Sequence, residues 1–331
     1  MTPRLLCGAL VALLTSILTP SAHAQKTLIV AEPTHGVGYL PLYIAIRNGY
    51  FAKEGLDVKV MTVDGGSTHT NAVLSGQAFA FLGGPEHNAY AKIKGGELRA
   101  IVNVVDRGNV YYSARKGSEP QPGQSWPSYF KGKSFAVGLY GGTPNSITRY
   151  LLKQWSLDAK SDVTLYEMTT SAVIAGVRSG RAEIGVTSEP FLTQGVREAI
   201  WSEPIINIPK DLGPYAYSTI NVKLDTIKSE PQVVEKFVRA MVQGLKYTYA
   251  DPEGATAIAK KEFPTMALDD LKSTLDRTFA DGLWSPDGIV SPQAWKTAQA
   301  VVLAAGVLKQ SVPYDDIIDM KFVKSNSPAS N

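Results

Sequence analysis

Leu40-Pro-Leu-Tyr-Ile-Ala-Ile-Arg-Asn-Gly-Tyr-Phe-Ala-Lys-Glu-Gly-Leu-Asp-Val58 decides how the rest of the chain is read. Its first half places apolar residues at helical spacing, which predicts a helix over 40–51 that ends near Asn48-Gly49. Its second half enters Asp57–Val63, where apolar and polar residues alternate with period two, the mark of a strand. Upstream, Thr27–Ala31 is a short apolar run that predicts a buried strand. Downstream, the same alternation recurs. A helix from an N-cap at Ser67 through Ser75 is followed by a strand at 78–82, a helix at 86–94 and a strand at 98–105. This βαβα order predicts parallel strands with right-handed crossovers.

A Pro-, Gly- and Ser-rich break at 117–132 precedes a second round. Strands are expected at 134–138, 163–168 and 182–187, with helices at 143–155 and 171–179. A second break at 209–214 leads to a strand at 215–222. Helices are then expected at 231–250, 253–262, 268–282 and 292–305, and a polar frayed end at 325–331. The fold class is therefore α/β, with two α/β units, two linkers and a helical C-terminal segment.

The chain has 331 residues, which suggests about two domains. Hydrophobic residues make up 44% and charged residues 19%, a composition that fills a core and argues against disorder. The net charge of +3 is small and the charges are interspersed, so no nucleic-acid surface is expected. Residues 1–24 carry Arg4, an apolar run from Leu5 to Leu18, and Ala22-His23-Ala24, the pattern of a signal peptide cleaved after Ala24. The apolar run is shorter than the roughly 20 residues of a membrane span. Cleavage would remove Cys7, the one Cys in the chain, and with it disulfides, thiolate metal sites and cysteine nucleophiles. Export to the periplasm follows.

The quoted stretch resembles an opening signature of the solute-binding proteins of ABC importers for sulfonates, taurine, nitrate and thiamine-type pyrimidines. Ser75-Gly-Gln-Ala-Phe-Ala80, Gly132-Lys-Ser-Phe-Ala-Val-Gly138, Ala175-Gly-Val-Arg-Ser-Gly-Arg-Ala-Glu-Ile-Gly185 and Ser188-Glu189-Pro190-Phe191 resemble further family elements in the same order. The resemblance covers nearly all of 26–300. It implies the two-lobed periplasmic binding protein type II fold, with two hinge crossovers and a ligand held between the lobes. Lobe 1 would be 26–112 plus 215–331, and lobe 2 would be 113–214. It also implies a monomeric, non-catalytic receptor that delivers a small molecule to a membrane permease and its ATPase, with no cofactor.

Ligands of parallel α/β sheets sit beyond the carboxyl ends of strands, so the loops there hold the candidate residues. After the first strand come Thr34, His35 and Tyr39; after the second, Gly66 and Ser67; after the third, Glu86 and His87. In the second unit Gly142, Thr143 and Asn145 hold the matching position, with Ser188 and Glu189 after a later strand. Tyr215, beside Tyr217, could stack on a ring. Each has a plainer use as a turn, a helix cap, a dipole-balancing acid or packing. His35, His69 and His87 with Glu86 could hold a metal, but none has the i, i+4 spacing of a zinc helix, and no metal is expected. Arg is scarce in these loops and two Glu are present, which points to an amine or nitrogen heterocycle beside the sulfonate alternative. An enzyme related to thiamine-pyrimidine synthesis would need a Cys-rich motif, which the chain lacks.

Overall fold

The structure, a computed structural model, describes residues 25–63 and 67–326. The expected signal peptide 1–24, Gly66 and most of the expected polar end lie outside the described residues. A last helix, Lys321–Asn326, with Phe322 and Val323 buried, runs into the first two residues of the end expected to fray.

The quoted stretch folds as its pattern requires. Leu40–Arg47 is a helix with Pro41 in its first turn. Gly49, at φ 69°, breaks it, and Tyr50–Lys53 adds one more turn. Gly55, at φ 76°, then turns the chain into a strand. Leu40 through Ala45 are all buried, as expected of a helix that is apolar on every side. It packs on the long helix Pro231–Ala250, where a Cβ on Gly244 would overlap the Pro41 carbonyl. That close approach fixes Gly at 244.

Among the described residues, ten strands make two five-stranded sheets. β1 (Lys26–Glu32), β2 (Leu56–Thr62), β3 (Ala80–Gly83) and β4 (Leu98–Arg107) begin the first. β5 (Tyr111–Ala114), β6 (Ser134–Gly138), β7 (Thr164–Met168), β8 (Ile184–Thr187) and β9 (Ile206–Asn207) form the second. β10 (Pro214–Lys223) returns to the first. The orders are β2-β1-β3-β10-β4 and β7-β6-β8-β5-β9. The two sheets thus repeat one plan, each lobe taking one strand that arrives from the other.

The strands of the expected βαβα units are parallel, and each sheet adds an antiparallel strand. β1 is parallel to β2 and β3, and β6 to β7 and β8. β10 runs antiparallel between β3 and β4, and β5 antiparallel to β8 and β9. These two strands enter by a direct link from the other lobe, without a crossover helix to reverse the chain, so they run against their neighbours.

The C-terminal helices cover the first sheet and also reach the second lobe. Leu268–Ala280 packs against Phe191–Arg197, and Pro292–Ala304 against Thr143–Gln154. Asp251 and Ser291 cap two of the C-terminal helices by accepting from the Gly254 and Ala294 amides at 2.9 and 3.0 Å. No helix among the described residues is long and apolar enough to cross a membrane.

Candidate functional site

A cavity of ≈ 100 Å³ lies between the two lobes. It sits at the carboxyl ends of β1, β3, β6, β7 and β8, as the strand-end rule requires. The first lobe contributes Thr34, Gly36, Gly38 and Tyr39 after β1, His69 after β2, and Gly84 and His87 after β3. The second contributes Gly142 and Thr143 after β6, Thr169 and Thr170 after β7, and Ser188 and Glu189 after β8. Asn109 from the outgoing link and Tyr217 and Ser218 from β10 complete it. No Lys or Arg is among these residues.

Glu86 stands behind this lining at the start of the helix Glu86–Ile93. It is fully buried, and the Thr143 hydroxyl donates to its Oε1 at 2.6 Å from the opposite lobe. Its Oε2 has no partner among the described residues. Burial pushes the Glu86 carboxyl up to about 7, while the bond from Thr143 opposes that rise. Thr143 was expected to donate to a ligand across the cleft, with a helix cap as its plainer use; here it donates across the cleft to a protein group. Gly142 takes the cap position, and the Thr143 hydroxyl is given to Glu86.

His69 and His87 are both buried, and their rings meet edge to face with centroids 4.7 Å apart. Burial pulls His87 down to about 4 and His69 well below the usual imidazole range, with neighbouring His87 adding to the latter. Burial also raises the Tyr39 hydroxyl, against a bond from Ser218.

Five expected site residues stand elsewhere or serve otherwise. His35 turns away from the cavity: its Nδ1 lies 2.9 Å from Glu32 Oε1, and its ring packs on Tyr43 and Phe263. The cause is Glu32, a fully buried carboxylate that gathers His35, the Tyr43 hydroxyl at 2.6 Å and the Thr62 hydroxyl at 2.9 Å. The Glu32 contact raises the His35 pKa. Ser67 takes the N-cap position without a side-chain capping bond and faces a separate groove with Thr70 and Lys94. Asn145 is buried one turn into its helix, donating to Gly138 O at 2.9 Å and Glu167 Oε1 at 3.0 Å. Tyr215 is buried behind Tyr217, with ring centroids 6.0 Å apart. Glu189 borders the cavity, but its carboxylate is occupied: it accepts from the Thr193 amide and hydroxyl at 3.1 and 2.8 Å and from Arg277 Nε at 3.0 Å. Burial raises its pKa, and the Thr193 and Arg277 bonds oppose the rise.

Sequence reasoning missed Asn109, Thr169, Thr170 and Ser218, and considered His69 only as a metal ligand. Thr169 and Thr170 follow β7, where the strand-end rule applies unchanged. Asn109 and Ser218 lie on the exchanged segments and carry no local signal. Among the described residues no group of three or more His, Cys, Asp or Glu side chains converges on a metal position.

Two sheets of the same strand plan, strands exchanged between them and a cavity along the seam define a two-lobed periplasmic binding protein fold. Residues 37–255 match the family model described as NMT1/THI5 like, and the chain belongs to that family. It is 26% identical over 299 residues to YtlA of Bacillus subtilis, named a binding protein, covering 89% of this chain and 88% of that one. It is 24% identical over 333 residues to the riboflavin-binding protein RibY of Chloroflexus aurantiacus, covering 93% and 90%. Among solved structures, it is similar to the ligand-binding component of an ABC-type import system from Staphylococcus aureus, determined with zinc bound. That match has a TM-score of 0.74 and 14% identity, covering 92% of this chain and 99% of that one.

Proposed function

We propose that this chain is the substrate-binding component of an ABC importer. It captures a small polar organic solute between its lobes and delivers it to a membrane permease and its ATPase. It is exported to the periplasm after cleavage behind Ala24, acts as a monomer, and performs no chemistry on its ligand. Lobe 1 is 26–112 with 215–331, lobe 2 is 113–214, and the lobes close by hinge motion at the two links. Similarity to YtlA and RibY, both named binding proteins, and to the Staphylococcus aureus import component supports this reading.

One observation carries it. The polar atoms left without partners around the cavity include Glu86 Oε2 and His87 Nδ1, and they lie at the seam that lobe closure buries. Each unmet buried group costs about 1–3 kcal/mol, which a ligand bearing complementary groups would offset. Among the described residues, the lining offers no Lys or Arg to a sulfonate or nitrate. A nitrogen heterocycle is therefore favoured over the sulfonate alternative.

The test is a thermal-shift screen of the purified protein against sulfonates, nitrate, thiamine pyrimidines, amines and other nitrogen heterocycles. A ligand at about 100 times its dissociation constant adds roughly 2.7 kcal/mol of stability. A heterocycle that shifts the melting temperature and is recovered unaltered supports the reading. Turnover of that ligand overturns it.

A further inference from the structure

The first-lobe wall of the cleft ends in the two imidazoles. His69 lies on the helix Thr68–Leu74 and His87 on the helix Glu86–Ile93, at 2% and 3% exposure. Among the described residues, both ring nitrogens of His69, Nδ1 of His87 and Glu86 Oε2 have no partner. Buried polar atoms are nearly always paired, so four orphans in one corner need an explanation. The backbone is cut to admit them: a Cβ on Gly83 would stand 2.5 Å from His69 Nε2, and one on Gly84 would overlap the Glu86 carboxylate. The rings around the pair are Phe81 and Tyr90, which supply no charge.

A buried neutral imidazole presents one N–H donor and one bare nitrogen acceptor. Two of them offer both kinds of hydrogen bond with no net charge. An anion finds no counter-charge there. An ammonium group would find its one counter-charge in Glu86, whose Oε1 already accepts from Thr143, and would lose its hydration against Phe81 and the two imidazoles. An uncharged ring with N–H next to C=O complements both imidazoles. Size sets an upper limit: the cavity of ≈ 100 Å³ is smaller than the about 150 Å³ apolar cavity that accepts benzene, so the ligand is no larger than a single small ring.

We infer that His69 and His87 are the specificity end of the cleft and select an uncharged six-membered cyclic amide, a lactam or imide of the pyrimidinone class, over sulfonates, nitrate and amines. The inference rests on the receptor reading above.

The full chain is titrated with uracil, taurine and methylamine at pH 7.5 by calorimetry, alongside His69→Phe, His87→Phe and His87→Gln. Uracil is expected to bind at one site. Each Phe variant should weaken it at least about tenfold, while His87→Gln, which keeps a donor and an acceptor, restores part of the loss. The unliganded Phe variants should melt no lower than wild type, because they remove orphaned polar atoms, so lost binding is not lost folding. Binding of taurine or methylamine with uracil silent overturns the inference and leaves the receptor reading standing. Uracil binding that His69→Phe and His87→Phe leave unchanged also overturns it. No heat and no thermal shift with any solute of the wider screen overturns both.

Discussion

The Thr143 hydroxyl donates to Glu86 Oε1 at 2.6 Å across the cleft, joining the loop after β6 to the loop after β3. The bond exists only when the lobes are together. Replacing Thr143 by Ala leaves the buried carboxylate without its one cross-lobe donor, at a cost of about 1–3 kcal/mol. Ligand affinity should fall by roughly 5- to 150-fold. The same change removes the bond that holds the Glu86 carboxyl down, so its titration moves above about 7. Calorimetry across pH 6–9 on wild type and Thr143→Ala reads both effects.

Glu86 and the two imidazoles give opposite pH slopes. Glu86 has an ordinary value of 4.5 and is pushed up to about 7 in the fold. Its contribution to stability is full below 4.5 and is lost as pH rises through about 7. His87 goes from 6.5 down to about 4, so its contribution is present above 6.5 and lost as pH falls toward 4. His69 acts in the same sense as His87. The Glu86 and His87 effects are each on the order of 3 kcal/mol. Melting curves from pH 4.5 to 7.5 should therefore show a steeper loss on acidification in Glu86→Gln than in wild type. The double variant His69→Phe/His87→Phe should reverse the slope relative to wild type. Parallel curves for all three proteins would refute the assignment.

Most of the fold is legible in the sequence because its signals are local. Helical spacing ending at Asn48-Gly49, alternation through Val63 and Pro at helix starts each fix an element within a few residues. The antiparallel insertion of β10 and β5 is not legible, because strand direction depends on how two lobes exchange segments far apart in the chain. The site divides the same way. Thr34, Tyr39, His87, Gly142, Thr143 and Ser188 are found by position after strands. His35 and Glu189 are claimed first by protein partners, buried Glu32 in one case and half-buried Arg277 in the other. His69 is missed because its meaning comes from packing against His87, which no spacing encodes.

Gly84 is predicted to be indispensable for a steric reason. A Cβ there would overlap both carboxylate oxygens of Glu86. Gly84→Ala should swing the carboxylate off Thr143 and reproduce the loss seen in Thr143→Ala. If the two act through one bond, the double variant costs little more than either single change, an interaction energy of about 1–3 kcal/mol in the cycle. Strictly additive affinities for Gly84→Ala, Thr143→Ala and the pair would exclude that shared route.

Glu189 and Arg277 tie the second lobe to the C-terminal helix Leu268–Ala280. The Glu189 side chain is wholly buried and that of Arg277 is 23% exposed. Removing the guanidinium in Arg277→Met strands a carboxylate that only Thr193 and a long contact from Thr274 still serve. Breaking a buried pair from one side costs about 3–5 kcal/mol, and the surviving Thr193 bonds place this case near the lower figure. Glu189→Gln should cost less, because the amide keeps an acceptor and leaves no buried charge. Adding Glu189→Gln to Arg277→Met should recover part of the loss, since it neutralises the stranded group. Urea midpoints of the three variants test the order. The carboxylate is occupied by protein donors, so Glu189→Gln should leave the preference between charged and uncharged solutes unchanged. A switch in that preference would return Glu189 to the ligand.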